Sequence, residues 1–450
     1  MRKGRGHPAL TERYPAKATS RRGRPGRRHG ERPGNNVTSA HLQAVYPFLA
    51  EAGLGTPGVY LGRDPYGGSV AYDPWELYGR GLLGDQNMLV LGNINSRKSS
   101  FVKTYILRQL TFGREAWVLD VKGEYAAMAR AIGHEPIRLV PGGSVRLNPL
   151  RPRGGREAQL SLLRSVTAAA LGRSLTPEED AGLRVALDHV NLTFEGREPT
   201  LPEVVRALLG PSEAMVAAVS APSVDDFAAA NREAALALQR LTDGDLRGMF
   251  DGPTSEGLDL DAPLVVLDLS GLSDSAAFGV LMICAAAWQQ SILLERAAAA
   301  EAGGESGAKL IFVVEEGWRV LEYVGFASWL RESFKLCRKL GVQNIVVAHR
   351  VSDFGALGAE GSREARIAQG LPSDAETVVL NKQSADQEPV LRDAFGMGST
   401  ETELVVTLRP DEYLLRVGAY SVLVQAQVSA WELELLRTSA RLVEAAEPGA

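Results

Sequence analysis

Lys98 and Ser99 close a loop that opens at Gly92, and two adjacent acids, Glu315 and Glu316, follow five apolar residues. An ammonium on a flexible stem, a hydroxyl beside it and paired carboxylates are the groups that phosphoryl chemistry uses. In a phosphate-binding loop the lysine would reach the β/γ oxygens and the hydroxyl of Ser99 would ligate Mg²⁺. Carboxylates hold the metal through its water and polarise an attacking water. The loop Gly92-Asn93-Ile94-Asn95-Ser96-Arg97-Lys98-Ser99, with Ser100 behind it, would wrap phosphates with its backbone N–H groups at a helix N-terminus. It fits the pattern G-x-x-x-x-G-K-[ST] except that Arg97 stands where the second glycine belongs. A glycine there lets backbone approach phosphate with no side chain in the way. Arginine keeps the N–H but adds bulk and charge.

The elements that must position these groups are legible on either side. Met88 to Leu91 is a short apolar run of the kind that forms a buried strand. Phe101, Val102, Tyr105, Ile106, Gln109 and Leu110 then recur at helical spacing up to Gly113. Strand, loop and helix in this order are the setting in which a P-loop is credible. Ala116 to Asp120 reads as a second buried strand. Its terminal Asp120 is placed at the edge where open α/β sheets bind ligands. Pro136 to Val140, Pro263 to Leu269, Lys309 to Val314, Asn344 to Ala348, Thr377 to Asn381, Tyr413 to Val417 and Tyr420 to Val428 read as further strands. The acids Glu315 and Glu316, and His349-Arg350, stand at strand ends.

Between residues 155 and 250 strand signals vanish, and Thr176-Pro177-Glu178-Glu179 and Thr200-Leu201-Pro202-Glu203 give capping boxes. Helices are also expected at Ala40 to Ala52, Ser275 to Ala299 and Ala327 to Leu340. Upstream, Gly58 to Gly62 and Ser69 to Tyr72 read as paired strands about Asp64-Pro65-Tyr66-Gly67-Gly68, leading directly into the loop strand. This divides the chain into a basic tail (1–36), a helix and hairpin (41–85), a first core part (86–154), a helical insertion (155–250), a second core part (251–430) and a C-terminal helix and tail (431–450).

Composition bounds the class. At 450 residues, 45% apolar and 23% charged, the sequence is that of a globular protein with one large or several smaller domains. Cys284 and Cys337 lie in apolar runs without metal-ligand spacing, as core thiols in a reducing compartment do. The apolar run Phe278 to Trp288 is too short for a membrane span, and no apolar h-region follows the basic start. A cytoplasmic location follows, with docking at the inner face of the cell membrane left open. The net charge of −5 combines +9 over residues 1–36 with −14 on the remainder, so any nucleic-acid contact must be local. The tail is rich in Arg, Gly and Pro and reads as disordered. Its Arg22-Gly23-Arg24-Pro25 resembles an AT-hook core, the alternatives being a solvated basic tail or an upstream-extended start.

In this order the motifs resemble the HerA–FtsK superfamily of P-loop ATPases, and within it the TraC-like conjugation and type IV secretion ATPases. The resemblance runs from about Gly58 to Val428. Asp120-Val121-Lys122-Gly123-Glu124-Tyr125 is similar to D-x-x-G-E-Y, Asn148-Pro149 to N-P and Phe250-Asp251-Gly252 to F-D-G. Glu315-Glu316-Gly317-Trp318 is similar to D-E-A-W, Arg338-Lys339-Leu340-Gly341 to R-K-x-G, and Ala348 to Asp353 to S-Q-R-P-S-D. The resemblance implies an α/β fold: a RecA-like P-loop NTPase core with a mainly parallel sheet, a helical insertion and a disordered basic N-terminal tail. It implies ATP and Mg²⁺ as ligands, with Ser99 and Glu315 at the metal and Glu316 as general base. His349 takes the place of a γ-phosphate-sensing glutamine. Arg338 or Arg350 would serve as an arginine finger to a neighbour in a homo-hexamer, and a membrane-embedded transfer or secretion complex would be the partner.

Three departures, Arg97, Glu315 for aspartate and His349 for glutamine, fall on catalytic positions. Binding tolerates them better than hydrolysis, which needs tighter positioning. A hydrolysing ring motor, a non-hydrolysing nucleotide-binding scaffold with a degenerate P-loop, and a DNA-binding protein with a merely structural core are the three readings. No residue pattern reads the nucleotide base.

Overall fold

The computed structural model describes residues 54–151, 155–194, 196–244, 246–272, 278, 281–282, 285, 309–317, 319, 324–355 and 370–436. The basic tail, the helix at Ala40 to Ala52, most of the helix from Ser275, Cys284, Trp318 and residues 437–450 lie outside them. Cys337 is buried with a free thiol.

Strands β1 (Val59–Arg63) and β2 (Ser69–Tyr72) pair antiparallel. They do not lead straight into the loop strand. Helix α1 (Pro74–Gly79) intervenes, capped by Asp73, whose carboxylate accepts from the Trp75 and Glu76 amides at 3.0 and 3.1 Å. Asp-Pro is a helix-start signal that the apolar pattern alone does not show. Then come β3 (Met88–Leu91), α2 (Lys98–Thr111), β4 (Glu115–Asp120), α3 (Ala126–Ala131) and β5 (Ile137–Arg138). The strand expected over Pro136 to Val140 shrinks to two residues because β5 is an edge strand, paired only at Ile137–Leu267 and Arg138–Asp268.

Residues 155–243 hold five helices, α4 (Gly155–Leu171), α5 (Pro177–Thr193), α6 (Leu201–Leu209), α7 (Glu213–Ala218) and α8 (Val224–Asp243). Thr176 and Glu179 exchange the two bonds of a capping box at 3.2 and 2.9 Å, and Glu203 accepts from the Thr200 amide at 2.9 Å. Then follow β6 (Leu264–Asp268), β7 (Leu310–Val314), α9 (Val324–Leu340), β8 (Val342–Ala348) and β9 (Thr377–Leu380). Helices α10 (Glu388–Phe395) and α11 (Ser399–Thr407) fill a stretch to which the sequence reading assigned nothing. The hairpin β10 (Glu412–Val417) and β11 (Tyr420–Ala426) precedes α12 (Ala430–Leu436).

The eleven strands among the described residues form one sheet in the order β2-β1-β11-β10-β9-β3-β8-β7-β4-β6-β5. From β9 to β5 every pairing is parallel, and the other strands extend the sheet antiparallel. Both faces of the central strands are covered, so they are buried and mostly apolar; the polar Gln343 and Asn344 of β8 are paired inside, with the Tyr105 hydroxyl and Asn87. Leu89 and Leu91 face the layer that includes the insertion helices, whereas Met88 and Val90 face α2, whose Val102, Tyr105 and Ile106 are fully buried. Burying each such side chain stabilises by about 1.5–3 kcal/mol, so the phosphate loop hangs between two firmly seated elements.

The outer end of α2 is tied as well. The Arg108 guanidinium donates to Glu432 Oε1 and Oε2 at 2.7 and 3.0 Å, to the Gln427 carbonyl at 2.6 Å and to the Tyr60 carbonyl.

Candidate functional site

Parallel strands deliver their C-terminal ends to one edge, and strand order decides which side chains meet there. β8 lies between β3 and β7, with Leu91 paired to Ala348 and Val314 to Val346. Neighbouring strands are about 4.8 Å apart, so the residue after β8 stands between the loop and the two acids. That residue is His349. Its Nδ1 accepts from Lys98 Nζ at 3.1 Å, and its Nε2 lies 3.1 Å from Glu316 Oε2. A neutral imidazole with the proton on Nε2 satisfies both contacts. The expected trio is thus brought into one line.

Lys98 is buried and also donates to the carbonyls of Gly92 at 2.6 Å and Asn93 at 3.0 Å. Burial lowers its pKa to about 8, partly offset by Glu316. Gly92 is required by close approach, since a Cβ would lie 2.3 Å from Ser96 Oγ and 2.7 Å from Asn381 Cβ. Asn95 and Arg97 flank Ser96 in the left-handed conformation, at φ 64° and 66°. That alternation turns successive N–H groups toward one point, an anion-binding nest. The first-turn amides of α2 add donors with no intrahelical acceptor. Arg97 therefore occupies a backbone state that glycine favours.

Glu315 and Glu316 follow β7 into the same cleft, of about 240 Å³, which Ile94 to Ser100, Lys122, Glu124 and His349 also line. Glu315 is buried and accepts from the Tyr125 hydroxyl; burial pushes its carboxyl up to about 7. Glu316 is buried, adopts φ 52° and forms an ion pair with Lys122. A glutamate held in left-handed backbone is strained, and such strain clusters at working sites.

Two expected residues lie elsewhere. Asp120 is fully buried, and its Oδ1 accepts from the Lys122 and Gly123 amides at 3.2 and 2.8 Å, its Oδ2 from the Tyr125 amide at 2.8 Å. It shapes the loop that presents Lys122 and Tyr125 and does not face the cleft. Arg338 ends α9, just before β8 starts, so it stands at the opposite edge of the sheet from His349. The seven residues of β8 put about 23 Å between them. Arg350 is exposed immediately beyond His349, with its amide donating to Asp353 Oδ2 at 2.9 Å.

A second cavity, of about 430 Å³, adjoins the cleft across Arg97 and Ser100 and is lined by Phe101, Thr104, Asn381, Asp411, Tyr413 and Leu433 among others. Sequence reasoning missed it, because it needs β9 and β10 beside β3. The residues present fit a nucleotide. Ser96 Oγ, Thr104 Oγ1 and Asn381 Oδ1 are buried without a hydrogen-bond partner among the described residues, and they line the loop and the adjoining cavity.

Burial of Glu315 has a measurable cost. A pKa raised from 4.5 to about 7 means the folded state loses stability as pH rises from below 4.5 through 7. At about 1.4 kcal/mol per pH unit the loss is on the order of 3 kcal/mol at pH 8. Glu315→Gln keeps an acceptor for Tyr125 and removes the charge. Its melting temperature should exceed that of the native protein at pH 8 and match it at pH 4; equal melting at both pH values would sink the assignment.

A parallel sheet with the loop strand separated from the acidic strand by one other, and a phosphate loop opening a buried helix, is a RecA-like P-loop NTPase fold. No protein-family model matches the sequence, and no curated protein matches it. Solved structures do. VirB4 of Thermoanaerobacter pseudethanolicus superposes with a TM-score of 0.64 at 22% identity, covering 84% of this chain and 98% of that one. The plasmid coupling protein TrwB in complex with a non-hydrolysable ATP analogue superposes at 0.56 and 14% identity, over 89% and 96%. TrwB with ADP and Mg²⁺ gives 0.53 at 13%, over 76% and 85%. TrwB is a bacterial conjugative coupling protein, and at these identities the likeness is one of fold.

Proposed function

We propose that this chain is the ATP-hydrolysing motor of a conjugation-like or type IV secretion-like transfer system. The carrying observation is the continuous line Lys98–His349–Glu316 across the mouth of the phosphate loop. Lys98 and the loop amides bind the β- and γ-phosphates. Ser99 would ligate Mg²⁺ and Glu315 its water; the metal, when bound, neutralises charge on the phosphate oxygens. Glu316 takes a proton from water as its oxygen attacks the γ-phosphorus. The bond to the bridging oxygen breaks, leaving ADP and phosphate. His349 orients Glu316. The cavity beyond Arg97 takes the nucleoside. The neighbouring coupling protein TrwB forms complexes with a non-hydrolysable ATP analogue and with ADP and Mg²⁺, which supports the ligand class.

A homo-hexamer with Arg350 turned toward a neighbour's site goes with this reading, as does docking at the inner face of a membrane complex. Among the described residues no helix is long and apolar enough to cross a membrane. DNA remains a proposed partner of the basic tail. Steady-state ATP turnover by the full chain, with and without single-stranded DNA, tests the motor. Turnover at the level of a Lys98→Ala control in both conditions would overturn it.

The non-hydrolysing scaffold is the second reading, and Arg97 is the observation that favours it. Left-handed backbone at a non-glycine residue costs roughly 1–2 kcal/mol, and the arginine borders both the phosphate cleft and the nucleoside cavity. A misplacement of about 1 Å costs on the order of a hundredfold in rate. Arg97→Gly should therefore raise kcat, by roughly threefold to tenfold, at saturating ATP. A fall of about tenfold would instead make Arg97 a built-in finger.

A further inference from the structure

Lys122 is the cation that neither the phosphate loop nor the acidic strand end supplies. Three features place it. Asp120 fixes its backbone at the end of β4 through the Lys122 and Gly123 amides. Gly123 turns the chain at φ +73°, where a Cβ would stand 3.1 Å from Ser270 Oγ. β4 pairs directly with β7, so the side chain that leaves β4 meets the acids that leave β7. Its ammonium pairs with Glu316 Oε1, while Glu316 Oε2 faces His349. The cleft thus holds a carboxylate between two ammoniums, Lys98 reaching it through His349 and Lys122 directly.

The two partners differ in freedom. The Lys122 side chain is 44% exposed and that of Glu316 is 6% exposed. Lys122 can swing on its four-carbon stem; Glu316 is fixed by burial and strained backbone. Paired in this way, the lysine occupies the carboxylate oxygen that an attacking water would need.

Resting on the nucleotide-site reading above, we propose that Lys122 exchanges partners, leaving Glu316 for the terminal phosphate of a bound nucleoside triphosphate. A γ-phosphate offers more negative charge and more acceptor oxygens than one carboxylate. A diphosphate presents no such group at that end of the cleft, so Lys122 stays on Glu316. The exchange frees Glu316 for the attacking water only when a bond is there to cleave. Water oxygen bonds to the γ-phosphorus, the bond to the bridging oxygen breaks, and the proton passes to Glu316. Lys122 remains protonated throughout and is not consumed.

Titration calorimetry of the full chain with Mg²⁺, using ADP and a non-hydrolysable ATP analogue, tests this on native protein, Lys122→Met and Lys122→Arg. The methionine variant should lose about tenfold or more in affinity for the triphosphate analogue. Its affinity for ADP should stay within about twofold. Lys122→Arg should restore the preference for triphosphate. Melting temperature verifies folding, and Lys122→Gln serves the same comparison. An unchanged ratio of the two affinities in a folded Lys122→Met or Lys122→Gln variant overturns the exchange while leaving the site intact. A native protein that binds neither nucleotide overturns the site itself.

Discussion

Glu316→Gln lowers kcat by about 10²- to 10⁴-fold and leaves nucleotide bound. That range is what a positioned general base contributes. Glutamine matches glutamate in length and keeps an acceptor for His349, so the line across the loop stays in place. What goes is the capacity to accept a proton and the charge that holds Lys122. ATP should bind at least as tightly as in the native protein, because the variant removes a buried negative charge beside the phosphates. Single-turnover hydrolysis and calorimetry on one preparation separate the two effects. A loss in kcat smaller than about tenfold would take the base role away from Glu316. Parallel losses of affinity and rate would mean that the substitution had disturbed the loop.

Lys98→Ala is the complementary result: affinity goes, and chemistry with it. The ammonium is shared among Gly92 O, Asn93 O and His349 Nδ1. Phosphate oxygens must replace these neutral acceptors. Charge-assisted bonds are worth about 1.5–3 kcal/mol each. Two of them imply an affinity loss of roughly 10²- to 10⁴-fold for ATP and ADP alike. Removing the lysine also leaves the Gly92 and Asn93 carbonyls to other partners, so the melting temperature belongs beside the calorimetry. A folded alanine variant with native affinity would show that the phosphates sit elsewhere.

The parts of the site that share one short stretch were readable in sequence. Met88 to Leu110 carries a strand, a loop and a helix whose apolar spacing is local, and the structure has β3 inside those bounds and α2 ending one residue past them, at Thr111. The acids at the end of β7 were readable because five apolar residues announce a strand and its end. Legibility failed where a position depends on which strands are neighbours. Asp120 stands at a strand end like Glu316 does, yet its oxygens turn back onto its own loop, three amides filling them. Lys122, two residues on, inherits the place in the cleft. Arg338 lies before β8, at the far end from the cleft of its own chain; the role expected of it is at a neighbour's site. The cavity beside Arg97 joins residues some three hundred positions apart. Helices α10 and α11 escaped because they are short, eight and nine residues, with Leu391 and Val405 their fully buried apolar side chains.

The clasp at Arg108 bears on mechanics. One guanidinium on α2 grips the first strand through Tyr60 and the last helix through Glu432, with Gln427 between them. The helix whose opening turn cradles the phosphates is therefore also the bolt that joins the two ends of the described chain. A tug on a tether attached before residue 54 or after residue 436 reaches that bolt within a few residues. It travels along the ten residues of helix between Arg108 and Lys98, about 15 Å, to the nucleotide loop. The same rod carries load in the other direction: on the hydrolytic reading proposed above, a shift of the loop as phosphate leaves would reach both ends of the described chain together.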